Sequence, residues 1–209
     1  MRTALILGLA TSILIGIAAP ADAGLLRYVG VKGAWSSSGR ADDADSEFER
    51  RTGVSLGAEV EWQLGSIMSL RTDFEYTDRG WTLKKPEGQA PEKTEINYVS
   101  IPVLLQFSVP LVIARPYIQV GPRIDFRTKF DSETYGDQAP DDWKSMLVGG
   151  VVAAGVQIQK LFPMVISGTA RYNFDFGDLS DLENVTIKNN AVDVWVGVGY
   201  AFGPKQLGQ

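Results

Sequence analysis

Two pairs of acidic residues are the best catalytic candidates in the sequence. Each pair is two residues apart in a segment where apolar and polar residues alternate: Glu59 with Glu61, and Asp73 with Glu75. On a β-strand, this spacing puts both carboxyl groups of a pair on one face, about 7 Å apart. Two carboxyl groups at such a distance suit glycoside hydrolysis. The alternative is that these acids pair with arginines and fill the protein interior.

Other reaction chemistries are limited by composition. The chain has no histidine and no cysteine, so it lacks the usual ligands of structural zinc and cannot build a Ser-His-Asp triad. The acidic segment Asp42-Asp43-Ala44-Asp45-Ser46-Glu47 could offer oxygen ligands to a divalent cation, but it lacks the glycine and the spacing of an EF-hand loop. We interpret it as a solvated loop. We expect no catalytic residue, no cofactor and no metal ion.

The N-terminus indicates an exported protein. Arg2 precedes the apolar run 4–19, which ends at Pro20 and the small-residue segment Ala21-Asp22-Ala23. This pattern is typical of a cleaved signal peptide. We therefore expect a signal peptide at 1–23 and one mature domain at 24–209. The net charge of −5 argues against a nucleic-acid partner.

Eight segments alternate with period two: 27–36, 53–64, 67–80, 95–109, 116–130, 144–160, 164–176 and 191–202. Most exceed the five or six residues usual for a globular strand, and a tilted transmembrane strand needs about nine to eleven. Short links alternate with long polar links at 37–52, 81–94, 131–143 and 177–190. This rhythm of periplasmic turns and extracellular loops predicts an all-β, eight-stranded antiparallel up-and-down barrel in the bacterial outer membrane.

Each predicted strand has an apolar and a polar face. The segment 68–76 shows this most clearly, since Met68, Leu70, Phe74 and Tyr76 alternate with charged residues. Strands two, four, five and eight present similar apolar sets, for example Val192, Val194, Val196 and Val198 in strand eight. In a membrane barrel the apolar face contacts lipid. Aromatic residues near both ends of the strands agree with two interfacial belts.

The opposite face carries equal numbers of acids and bases. The acids are Glu59, Glu61, Asp73, Glu75, Asp125, Asp175 and Asp193, and the bases are Lys32, Arg71, Arg79, Arg123, Arg127, Lys129 and Arg171. Buried charges are tolerated when they are paired and hydrogen-bonded, and an eight-stranded barrel is just wide enough for side chains to fill. We therefore predict a closed, charged lumen that would not admit a polysaccharide. The residues of this predicted lumen network are Glu59, Glu61, Arg71, Asp73, Glu75, Arg123, Asp125, Arg127, Arg171 and Asp193.

Four segments resemble a known family. The segments 97–105 (NYVSIPVLL) and 115–122 (RPYIQVGP) resemble the central signature of the small outer-membrane β-barrel domain family that includes PorT-like proteins. The closing segment 196–202 (VGVGYAF) is similar to that family's last strand, and 30–34 (GVKGA) to its first. The resemblance implies an eight-stranded barrel and, for most members, no defined activity.

We therefore predict a non-enzymatic outer-membrane barrel that acts in envelope structure or interaction. Its expected partners are outer-membrane lipid and, through the four long loops, envelope proteins or extracellular ligands; we expect a monomer. Two alternatives remain open. One is a small porin that passes ions or small solutes, and the other is a secreted lipocalin-like barrel whose apolar face points inward.

Overall fold

The computed structural model describes residues 26–41, 48–83, 92–132, 144–159, 163–177 and 188–202. The predicted signal peptide at 1–23 and the acidic segment 42–47 lie outside the described residues. So does most of the chain in the predicted loops around 84–91, 133–143 and 178–187.

Eight β-strands form one closed antiparallel barrel. Each strand pairs with the next in the chain, and the last pairs with the first. The strands are β1 (Leu26–Ala41), β2 (Phe48–Gln63), β3 (Met68–Leu83), β4 (Glu92–Ser108), β5 (Ala114–Ser132), β6 (Met146–Ile158), β7 (Met164–Asp175) and β8 (Lys188–Ala201). The predicted fold class is confirmed. Within the described ranges, no helix is long and apolar enough to cross a membrane.

Most strands extend further toward the long loops than the alternation predicted. β1 continues to Ala41, β2 begins at Phe48 and β3 ends at Leu83, so parts of the predicted loops 37–52 and 81–94 are strand. Backbone pairing continues there, for instance between Leu83 and Glu92. The extensions of β1, β2 and β4 are mostly polar on both faces, so the period-two pattern disappears from the sequence there although the backbone ladder continues.

Two β-bulges change which residues face the lumen. In β5, Lys129 pairs with Asn97 but Arg127 pairs with Tyr98, so Thr128 is an extra residue. The alternation beyond it is shifted by one, which turns Phe130 inward and leaves Lys129 exposed. The predicted inward position of Lys129 is therefore wrong. A second irregularity at the start of β1 makes Arg27 the extra residue, and both Arg27 and Tyr28 are buried.

The outer wall of the barrel is apolar over its middle. Val194 and Val196 of β8 and Ile118 and Val120 of β5 are each half or more exposed, as predicted from the alternation. Exposed aromatic residues stand toward both ends of the strands: Phe107, Tyr200 and Phe202 near the short turns, and Trp35, Tyr76, Phe126 and Tyr172 toward the long loops. An apolar band flanked by aromatic residues is the outer surface expected of a transmembrane barrel.

Candidate functional site

Six charged side chains form a network at mid-height of the lumen, which we call the central network. It contains three bases and three acids: Lys32, Arg71, Arg171, Glu59, Asp73 and Glu75. All six are at most 5% exposed. The alternation of β1, β2, β3 and β7 turns them inward, and because the two signs are equal in number the network is neutral.

Asp73 is the centre of this network. Its Oδ2 accepts from Lys32 Nζ at 2.5 Å and from Arg171 Nη2 at 2.7 Å, and its Oδ1 accepts from Arg71 Nε at 2.9 Å. Arg171 also donates to Glu75 at 2.5 Å. Because β3 and β7 are diametrically opposite in the ring of eight strands, the Arg171 side chain and its acceptors Asp73 and Glu75 together span the lumen. Charge-assisted hydrogen bonds of this kind are the stronger class.

Lys32 is enclosed on every side. Its Nζ lies 2.7 Å from Glu75 Oε1 and 4.4 Å from the centroid of the Trp195 ring, a cation–π contact. Gly57 and Gly197 face it from the neighbouring strands. A Cβ on Gly57 would lie 3.3 Å from Lys32 Cε, and one on Gly197 would lie 3.2 Å from Lys32 Cβ. Because these two residues are glycines, the lysine side chain has room between the neighbouring strands.

Glu59 completes the central network. It accepts a hydrogen bond from the hydroxyl of Tyr28 at 2.7 Å and forms an ion pair with Arg71. Its distance to Lys32 Nζ is 3.9 Å.

A second group of charges lies closer to the long loops. Arg79 donates to Asp125 at 2.8 Å, and Arg123 contacts both Asp125, at 2.9 Å, and Asp175, at 2.5 Å. These contacts join β3, β5 and β7. Asp193 lies in the same region and accepts from Asn173 at 2.6 Å.

A third group lies near the short turns, and sequence reasoning missed most of it. Arg115 donates to Glu61 at 2.7 Å, Arg27 lies 3.5 Å from the same carboxylate, and Gln157 of β6 donates to it across the barrel at 3.0 Å. Arg115 falls just before the fifth predicted strand, 116–130, and Arg27 was not among the predicted lumen bases. The signal that could have placed Arg115 is its parity with the inward residues of β5, since Arg115, Tyr117 and Gln119 are spaced by two.

The loop end of the lumen is apolar, which the sequence also did not predict. Five buried residues pack there into what we call the loop-end cluster: Trp81, Ile96, Tyr98, Phe130 and Leu147. Trp81 had been placed in a loop, and Phe130 reaches the lumen only because of the bulge in β5.

Of the ten residues predicted to form the lumen network, nine are buried inside the barrel and Arg127 is half-buried. The four carboxyl groups of the two acid pairs considered for catalysis are all engaged in ion pairs. Glu59 and Glu61 belong to different groups, and Asp73 and Glu75 both hold Lys32 and Arg171. Exposures of 0–2% leave none of these four carboxyl groups open to a polymeric substrate. Among the described residues, no group of three or more potential ligands is placed to hold a metal ion.

Comparisons with solved structures show the same architecture. The chain is similar to Neisserial surface protein A (NspA), with 15% identity and a TM-score of 0.55, over 83% of this chain and 97% of that one. It is also similar to the outer membrane protein OprG from Pseudomonas aeruginosa, with 13% identity and a TM-score of 0.50, over 86% and 98% of the two chains. At such identities the likeness shows the fold alone. No curated protein matches the sequence.

The apolar outer wall and the family comparison together show that the apolar face of the strands lies on the outside of the barrel. The model of the outer membrane protein beta-barrel domain matches residues 25–181, which is most of the chain. The secreted lipocalin-like alternative is therefore wrong, because the apolar residues face outward and the family resides in the bacterial outer membrane. This chain belongs to the outer membrane protein β-barrel domain family.

Proposed function

We propose that this outer-membrane protein is a non-enzymatic barrel with a closed lumen, and that it acts in envelope structure or in interactions made by its loops. The observation that carries the proposal is the pair of contacts from Arg171 of β7 to Asp73 and Glu75 of β3. They connect opposite walls of the barrel through side chains at most 2% exposed. A solute would have to break several buried ion pairs to pass.

Conductance of the purified, folded protein in planar bilayers tests the closed lumen. We expect no steady conductance from the wild type. The matched control is Lys129→Gln, which removes a charge from the same barrel outside the lumen. A steady wild-type conductance that changes in Arg171→Gln but not in Lys129→Gln would contradict the proposal.

One observation favours the alternative of a small porin. Several buried lumen atoms have no hydrogen-bond partner among the described residues, for example Asp193 Oδ1, Gln119 Oε1 and Trp195 Nε1. Buried polar atoms are normally satisfied, and water is the usual partner when protein is not. A hydrated path past these atoms would pass small ions, and the same conductance experiment distinguishes the two functions.

The interaction role rests on the arrangement of the links. The strand ends that lead into the four long links all lie at one end of the barrel, opposite the short turns, so the links start from one rim and are available to a common partner. Replacing them with short turns should leave insertion intact but abolish crosslinks to envelope proteins in intact cells. We also propose that the barrel works as a monomer, which the mass of the detergent-solubilised protein measures.

A further inference from the structure

An apolar groove of about 850 Å³ lies on the outer wall, lined mainly by outward-facing residues and also by Lys32 and Glu75, whose side chains belong to the central network. Its lining includes Gly33 of β1, Leu56 of β2, Tyr76 of β3, and Val196 and Val198 of β8. These residues are neighbours in register, since Gly33 pairs with both Leu56 and Val196, and Leu56 pairs with Tyr76. Gly33 has no side chain where its neighbours project outward, so the backbone forms the floor there. The volume is within the range of about 300–1,000 Å³ seen for small-molecule sites.

The wall above this groove is not apolar. Moving along β1 toward the long loops, Trp35 is 67% exposed, and Ser37 accepts from Arg50 Nε through its hydroxyl at 3.0 Å. Arg50 also donates to the Ser37 carbonyl. Ser37 is four residues beyond Gly33, about 13 Å at about 3.3 Å per residue. With strands tilted by about 40°, Ser37 lies about 10 Å nearer the membrane surface on the long-loop side than Gly33, so a lipid whose headgroup contacts Arg50 would extend its acyl chain over the groove.

Arg50 differs from the arginine beside it. Arg51 is paired with the carboxylates of Asp78, at 2.5 Å, and Glu95. In the described part of the chain, the hydrogen bonds of the Arg50 side chain go to neutral groups of Ser37, and the side chain is exposed. An exposed cation whose hydrogen bonds within the described ranges all go to neutral groups, placed above an apolar groove, is complementary to a negatively charged headgroup.

We propose that this groove binds one acyl chain of an anionic, phosphate-bearing membrane lipid, whose headgroup contacts Arg50. The chain lies between Leu56, Tyr76 and Val196, and Trp35 stands at the level of the lipid ester groups, where tryptophan is favoured. An arginine guanidinium donates two parallel hydrogen bonds to phosphate oxygens, so Arg50 provides the selectivity for the headgroup.

The test is native mass spectrometry of the folded barrel with equal amounts of phosphatidylglycerol and phosphatidylcholine that have identical acyl chains. We expect the wild type to retain one phosphatidylglycerol in preference to phosphatidylcholine by about fivefold, which corresponds to about 1 kcal/mol for one basic residue at a membrane surface. Arg50→Gln should remove this preference. Equal retention of the two lipids by the wild type would overturn the proposal.

A substitution that fills the groove provides an independent test. A Cβ on Gly33 would lie 3.6 Å from Leu56 Cδ2, an ordinary contact, so Gly33→Val should fold and occupy the groove. We expect it to lower retention of phosphatidylglycerol about fivefold, which corresponds to about 1 kcal/mol. The matched control is Ala154→Val, on the exposed face of β6, which should retain the lipid as the wild type does. Equal retention by Gly33→Val and Ala154→Val would contradict the proposal.

Two further measurements cover other outcomes. If Gly33→Val does not fold, quenching of tryptophan fluorescence by phosphatidylglycerol brominated on one acyl chain, present as a minor component in phosphatidylcholine, reports on the groove through Trp35. We expect most of this quenching to be lost in Trp35→Phe, and unchanged quenching in Trp35→Phe would count against the proposal. Displacement of the bound lipid by millimolar inorganic phosphate would show a site for free phosphate instead, and would also overturn it.

Discussion

The lumen is filled by two different kinds of side chain along its length. At mid-height, the central network joins charged residues from β1, β2, β3 and β7, and the contacts of Arg171 with Asp73 and Glu75 run between opposite strands of the ring. At the loop end, the loop-end cluster joins apolar residues from β3, β4, β5 and β6, which are consecutive. One region holds opposite walls together, and the other fills one side of the barrel.

The two regions should respond differently to the loss of a side chain. Removing one member of the central network leaves its former partners buried and charged, which costs much more than the contact itself contributes. Removing one member of the loop-end cluster leaves a cavity, whose cost depends on how far the neighbours can relax. No residue belongs to both regions, so their effects should add.

The largest effect is expected for Asp73→Ala. The substitution leaves Lys32, Arg71 and Arg171 facing only two acids in the central network. Breaking a buried ion pair from one side costs about 3–5 kcal/mol. Urea unfolding of the barrel in phosphatidylcholine vesicles measures the loss.

The control for this effect restores neutrality. The double variant Asp73→Ala with Arg171→Ala removes one charge of each sign and should be destabilised by less than the sum of the two single variants. A free energy of unfolding for Asp73→Ala within 1 kcal/mol of wild type would mean that the central network is hydrated or already unpaired.

Phe130→Ala should have the next largest effect, at about 3 kcal/mol, as is usual when a buried phenylalanine is truncated. Phe130 is 5% exposed and packs within the loop-end cluster. Combined with Asp73→Ala, the losses of unfolding free energy should add within about 0.5 kcal/mol. Strong coupling between the two variants would show that the lumen behaves as a single unit. Phe176→Ala, at a side chain 60% exposed, is the matched control.

The two regions also differ in how well the sequence predicts them. The residues of the central network were predicted from the alternation alone. Inward and outward residues alternate without interruption around Lys32, Glu59, Asp73 and Arg171, each on its own strand. The pairing of Arg171 with Asp73 and Glu75 could not be predicted, because the register between strands is not visible in a single chain. The sequence therefore indicates which charges are inside but not which ones touch.

The loop-end cluster was missed for physical reasons. One extra residue in a bulge reverses the parity of everything beyond it, and a bulge leaves no composition signal at Thr128. Trp81 belongs to the short end of β3 beyond Gly80, where Trp81, Thr82 and Leu83 are too few to show an alternation that distinguishes a strand from a loop. Arg115 was missed because β5 starts at Ala114, directly after the short turn. Errors of this kind concentrate at strand ends, where boundaries are least reliable.

A smaller effect is expected for Tyr28→Phe. The hydroxyl of Tyr28 donates to Glu59 at 2.7 Å at the edge of the central network, and Glu59 keeps its ion pair with Arg71 after the change. Losing one hydrogen bond to a charged acceptor costs about 1.5 kcal/mol. Tyr76→Phe, at an exposed tyrosine on the outer wall, is the matched control for urea unfolding. A loss as large as that of Asp73→Ala would mean that Tyr28 also orients Glu59 toward Arg71.

The smallest effect is expected for Asp131→Asn, which breaks an exposed ion pair on the same strand as a buried one. Lys129 with Asp131 and Arg123 with Asp125 are both pairs two residues apart on β5, at 3.4 Å and 2.9 Å. The side chains of the first pair are about half exposed, and those of the second at most 1% exposed. An exposed pair contributes about 0.5 kcal/mol, whereas breaking a buried one costs about 3–5 kcal/mol, so Asp125→Asn should destabilise the barrel several-fold more than Asp131→Asn. Equal losses in urea unfolding would mean that water reaches the lumen charges as freely as it reaches the surface, and the closed lumen would then have to be abandoned.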